Sequence, residues 1–179
     1  MFLVVVSRLL LKEYPMLNRL FLIFFILLKL NSSSQSSFYD IDTVRGINIY
    51  FYESNWDELL DSLYIVGNND RILADIIIDG VNYDSVGVRY KGFSSVSVDR
   101  VKNPFNIKLD YIIEGQDHEG FDKLKLANVY QDPSFIREVL SYEIARKYMP
   151  SSRANFSNVY INDTLWGLYT NVEAVNKSF

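Results

Sequence analysis

The chain has no cysteine, which removes disulfides, thiol catalysis, thiolate zinc sites and lipid attachment through a thiol. A single histidine, His118, excludes a metal site built from several imidazoles. A basic excess is missing too: 18 Lys and Arg stand against 22 Asp and Glu, a net charge of -4, with the two signs interspersed. Phosphate backbones reward a basic face, so no nucleic-acid partner is expected. Nor is there an apolar run of the roughly 20 residues that a membrane-spanning helix needs. The run LFLIFFILLKL, residues 20–30, has eleven residues and contains Lys29.

That run follows Asn18 and Arg19 and precedes the polar stretch NSSSQSS. A basic flank, a short apolar run and small polar residues form a secretory pattern. Residues 1–37 are therefore expected to be a signal peptide or membrane anchor plus a polar linker, with a buried helix as the alternative. Contact with a membrane is expected only through this segment, and the location is expected to be secreted or cell-surface. The folded part is expected over residues 38–179.

With 49% hydrophobic residues overall, 13 Tyr and 12 Phe, this part can build a substantial core. Residues 45–52 (RGINIYFY) alternate and are rich in aromatic and β-branched residues, which predicts a strand. Ser54 before WDELLDSLYI, with Asp57 three residues on, reads as a capped helix start. Asp79-Gly80 lies between two strand-like runs, residues 72–78 and 81–91, and suits a hairpin turn. Phe105, Ile107 and Leu109 alternate with Asn106, Lys108 and Asp110, as in a half-buried strand, and residues 124–129 are a weaker strand. Asp132-Pro133-Ser134 should open a helix that runs to about Tyr148 and stops before Pro150. A second hairpin is expected around Asn162-Asp163. Mixed strands and two helices predict an α+β fold.

Four segments in order carry a resemblance: VGVRYKGFSS (residues 86–95), KNPFNIKLD (102–110), KLKLANVYQDPSFIREVLSYEIAR (123–146) and ANFSNVYINDTLWGLYTNVEAVNKSF (154–179). Together they resemble the CotH kinase family, named after a bacterial spore-coat protein, over roughly residues 45–179. The resemblance implies an antiparallel sheet with two helices, like the N-terminal lobe of an atypical protein kinase. It also implies ATP with Mg²⁺ or Mn²⁺ as ligands and a secreted or surface protein as phosphate acceptor. The family's catalytic acids are expected beyond Phe179, so this chain would be the nucleotide-cradling part, inactive alone. The alternative is a non-catalytic adhesion or coat-assembly module of the same fold.

Phosphoryl transfer depends on positioned charge, so cations come first among the candidates. Lys108 projects from the polar face of its strand and by analogy pairs nucleotide phosphates; Lys102, at the start of that segment, competes for the role. Arg89 and Lys91 alternate onto one strand face before Gly92 and two serines, whose amides can meet phosphate. These cations are expected to share one hollow. On the helix after Asp132, a stripe of Ile136, Val139, Leu140 and Ile144 should face inward. Periodicity then favours Glu143 as the inward carboxylate, whereas the resemblance favours Arg137 and Glu138. Glu173 ends the last strand, where the resemblance places a glutamate near the adenine. His118, in the acidic loop EGQDHEG, reads as a solvated residue, and Trp166 and Tyr169 as core aromatics or base-stacking rings.

Overall fold

The computed structural model describes residues 37–67 and 70–175; the apolar segment of residues 20–30 lies outside them. Seven strands follow from the alternating runs: β1 Val44–Phe51, β2 Ile72–Ile78, β3 Val81–Tyr90, β4 Phe105–Lys108, β5 Lys123–Ala127, β6 Ala154–Ile161 and β7 Thr164–Glu173. Both hairpin turns form where the sequence places them. Asp79 and Gly80 take φ of 49° and 86°, Asn162 and Asp163 47° and 66°, the left-handed geometry that matches strand twist.

Two helices complete the described elements, α1 Trp56–Val66 and α2 Arg137–Ala145. Asn55, not Ser54, stands at the start of α1, and no side chain caps it. At α2 the N-cap position is Ile136, again without a side-chain cap; the Asp132 carboxylate accepts from the Ser134 and Arg137 amides ahead of and at the helix start, at 3.1 and 2.9 Å. The helix nevertheless starts at Arg137 rather than Ser134, because Phe135 takes φ of 63°.

The expected α+β arrangement, an antiparallel sheet with two helices like a kinase N-terminal lobe, is overturned. The strands form one closed barrel in the order β1-β2-β3-β4-β5-β7-β6. Closure comes from a parallel ladder between β1 and β6, Val44 opposite Phe156 through Ile49 opposite Ile161. A closed sheet has no edge left to pair, and its inward side chains make one core. Ile47, Ile49, Ile76, Ile78, Val88, Ile107, Leu124 and Leu126 are all fully buried there.

The two ends of the barrel are closed differently. At the end where β1 and β3 finish, α1 lays Trp56 against Phe51 in a stack at 4.6 Å and edge-on to Trp166 at 5.5 Å. Tyr90 donates to Asp57 of α1 at 2.6 Å. At the opposite end the entering chain inserts Phe38, which is fully buried. Arg45 holds this plug through the Phe38 and Ser37 carbonyls and the Asp79 carboxylate. His118 is buried here as well, 2.9 Å from the Tyr83 hydroxyl and edge-on to Phe38. The solvated-loop reading of His118 is therefore wrong: an aromatic plug has drawn the imidazole into the core.

Helix α2 lies outside the barrel over β6 and β7, where Val139 packs with Ala154 and Val172. Of the expected inward stripe only Val139 is buried; Ile136, Leu140 and Ile144 are 51%, 50% and 49% exposed. The face is rotated, with Tyr142 rather than Leu140 against the strands.

Candidate functional site

Where β3 ends, the Lys91 amide still donates to the Pro104 carbonyl at 3.0 Å, which ties the strand end to β4. Gly92 then turns the chain with φ of 96°, and a Cβ there would sit 2.5 Å from Ser95 Oγ. Only glycine fits this turn without strain. The following loop is closed by the buried Asn103, which bonds the Ser97 amide and carbonyl and the Arg100 carbonyl. Asn128, at the exit of β5, donates to the Ser95 and Lys102 carbonyls at 2.9 and 3.0 Å. That choice of donors leaves its own carbonyl oxygen buried and unpartnered.

Between the loop after β3, the chain after β5 and helix α2 lies a cleft of about 810 Å³. Lys91, Ser94 and Ser95 form one wall, and Arg137, Glu138 and Tyr142 another. Val129 and Gln131 in the remaining wall hold φ of 57° and 58°. A β-branched residue in that region is strained, and such strain concentrates at ligand sites.

Lys91 and Glu138 act on each other electrostatically in the cleft, although this pair is not among the direct ion pairs of the described residues. Burial lowers the Lys91 pKa, opposed by the Glu138 charge and reinforced by Lys125. Burial likewise raises that of Glu138, opposed by Lys91 and reinforced by Asp132. Desolvation thus outweighs attraction on both sides, and the ammonium is under-compensated. An anion arriving in the cleft would supply the missing counter-charge. At the start of α2 the Arg137 amide is already taken by the Asp132 carboxylate.

The seven sequence candidates separate. Lys91, Arg137 and Glu138 line the cleft; Arg137 also reaches the Gln131 carbonyl and the Asp132 carboxylate. Glu143 is not the inward acid, since it pairs with Arg146 on the same helix. Lys102 spends its ammonium on the Leu168 carbonyl at 2.6 Å, over the Tyr169 ring. Arg89 lines a smaller pocket of about 160 Å³ against Leu60 and Tyr64 of α1. Lys108 lies at the other end of β4 and pairs with Asp110 at 3.6 Å. Glu173 is also at that far end, opposite Leu124, and accepts from two of the three guanidinium nitrogens of Arg153, Nη2 at 2.8 Å and Nε at 3.0 Å.

Arg89, Lys91 and Lys108 therefore share no hollow. The β3–β4 register sets Lys108 opposite Gly87 and Arg89 opposite Asn106, while Lys91 has already left the strand. Tyr169 is wholly buried and donates to the Asn103 carbonyl, and Trp166 packs on Trp56; both are core residues. Asn128 and Tyr130 also line the cleft and were missed; nothing local marked them. Lys125, which acts on Lys91 electrostatically, lies on the outer face that the KLKLA alternation indicates.

No curated protein matches the chain. The sequence pattern described as CotH kinase protein matches residues 88–179, a little over half of the chain, from the last turn of β3 through every cleft wall. The chain belongs to the CotH kinase protein family.

Proposed function

We propose that the cleft binds the polyphosphate of ATP and that the protein takes part in phosphate transfer to secreted or surface proteins. The observation that carries this reading is the half-buried, under-compensated Lys91, which with Ser94 and Ser95 forms the cleft wall facing Glu138. Phosphoryl-transfer sites need positioned cations and a lysine–glutamate pair to order them. Lys91 would meet the phosphate oxygens, the amides after Gly92 would add directed N–H groups, and Glu138 would orient the ammonium. A cleft of this volume lies within the range that holds small ligands.

The Mg²⁺ or Mn²⁺ implied by the resemblance finds no donor set among the described residues. No three His, Cys, Asp or Glu side chains come together among them; Asp132 is bonded to the Arg137 amide, and burial favours the neutral form of Glu138. No step is therefore assigned to a metal. Secretion or surface display rests on residues 20–30 and the serine-rich stretch after them; among the described residues no helix is long and apolar enough to cross a membrane.

Calorimetric titration of the full chain with ATP tests the site. Lys91→Ala should weaken binding at least tenfold, while Lys108→Ala should leave it unchanged. Equal affinities for the parent, Lys91→Ala and Lys108→Ala proteins would remove the cleft from consideration. A second reading, a non-catalytic adhesion or coat-assembly module, draws on the three cations facing three surfaces and on Phe93, 94% exposed at the tip of the glycine turn. It predicts a folded chain that does not bind ATP.

A further inference from the structure

Tyr130 stands in the cleft wall between the two strained residues, Val129 and Gln131, both left-handed. Two costs of this kind on either side of one residue persist only where the surroundings fix the conformation, and what they fix here is the position of one aromatic ring. The ring is held at two further points. The Arg100 guanidinium lies over one face, 4.0 Å from the centroid. Arg100 is itself aimed at the Ser95 carbonyl, on the opposite wall of the cleft. The Gln131 side-chain amide donates to the Tyr130 hydroxyl at 3.0 Å. Despite these restraints the residue remains 39% exposed. A ring that packed as core would be covered, and a ring that merely decorated the surface would not need two left-handed neighbours.

We propose that Tyr130 is the platform on which the base of a bound nucleotide stacks, with Arg100 backing the ring. The inference rests on the nucleotide reading of the cleft and assigns the base subsite within it. A polyphosphate at Lys91 and the glycine-serine turn leaves the base to the wall after β5, and Tyr130 is the aromatic residue of that wall. Stacking uses the π-face common to all bases, so recognition should tolerate different bases. A cation on the far face of the ring makes the stack a sandwich of guanidinium, phenol and base.

The test separates base from phosphate by titrating the full chain with ATP, GTP and inorganic tripolyphosphate. ATP and GTP should bind within a few-fold of each other, and both more tightly than tripolyphosphate. Tyr130→Ala should lose about tenfold in ATP affinity, in the range of single base–aromatic stacks, with tripolyphosphate affinity unchanged. Tyr130→Phe should restore ATP binding. If Tyr130→Ala proves unstable, Tyr130→Leu keeps apolar bulk without a π-face and should show the same selective loss. Equal loss for ATP and tripolyphosphate would make Tyr130 a support for the loop and overturn the platform. Tripolyphosphate binding as tight as ATP in the parent chain would also overturn it, while sparing the phosphate site. If neither ligand binds the parent chain, both the nucleotide reading and the platform fall.

Discussion

Replacing Glu173 by glutamine should cost fold stability and leave the cleft intact. The Glu173 carboxylate accepts two hydrogen bonds from the Arg153 guanidinium and a third from the Arg153 amide, at 2.8 to 3.0 Å. Its side chain is 11% exposed, that of Arg153 40%. Breaking a fully buried pair costs about 3–5 kcal/mol, whereas an exposed pair contributes about 0–1 kcal/mol. With one partner buried and one partly solvated, about 2 kcal/mol is expected for Glu173→Gln. For a unit of this size that corresponds to a fall of about 6 °C in Tm.

The pH dependence adds a second signature. The hydrogen bonds from Arg153 hold the Glu173 carboxyl below its ordinary value of 4.5. A depressed acid contributes stability above its unfolded pKa and loses it as pH falls through the folded one. Parent and variant should therefore differ fully at pH 7 and converge in acid below 4.5. Urea unfolding at several pH values measures this. A variant as stable as the parent that had lost ATP affinity would refute the structural role and return Glu173 to the site.

Other variants probe the remaining features. His118 is buried beside Tyr83, Phe38, Asp79, Arg45, Asp117 and Glu119, and burial lowers its pKa from 6.5. Unfolding then takes up a proton, so stability should decline as pH drops below about 6.5, and His118→Phe should flatten that slope in urea titrations. Arg45→Ala removes the bonds to the Phe38 and Ser37 carbonyls and to Asp79, and should cost about 2–3 kcal/mol. Limited proteolysis should then cut near residue 40 at lower protease concentration. Gly92→Ala meets both a left-handed backbone and Ser95 Oγ at 2.5 Å, so about 1–2 kcal/mol of strain should appear in the melt, together with weaker ATP binding.

What was legible in the chain was local. Asp79-Gly80 and Asn162-Asp163 carry their turn geometry in their own residues, and the alternation around Phe105 and Ile107 tells which side chains go inward. Asp132 was legible as an acceptor for the amides that follow it because such bonds are decided within five residues. The resemblance of VGVRYKGFSS and its companion segments singled out Lys91, Arg137 and Glu138, which line one cleft in the structure. The α2 stripe failed because helical periodicity states which residues share a face, not which face the barrel offers. Val139 and Tyr142 meet β6 and β7, and Ile136, Leu140 and Ile144 are left outward. Glu143 was turned away from the cleft by the same rotation.

Sequence by itself determined the strands, their turns, the Asp132 turn after β5 and the family. Only the tertiary structure decided that the sheet closes, since the β1–β6 ladder joins residues more than a hundred positions apart and a parallel pair has no connecting turn to announce it. That closure and the β3–β4 register separate Lys91 from Lys108 and Glu173, because β3 finishes at one end of the barrel and β4 and β7 finish at the other. The meeting of half-buried Lys91 and Glu138 in one cleft is likewise a property of segments that come together only in space.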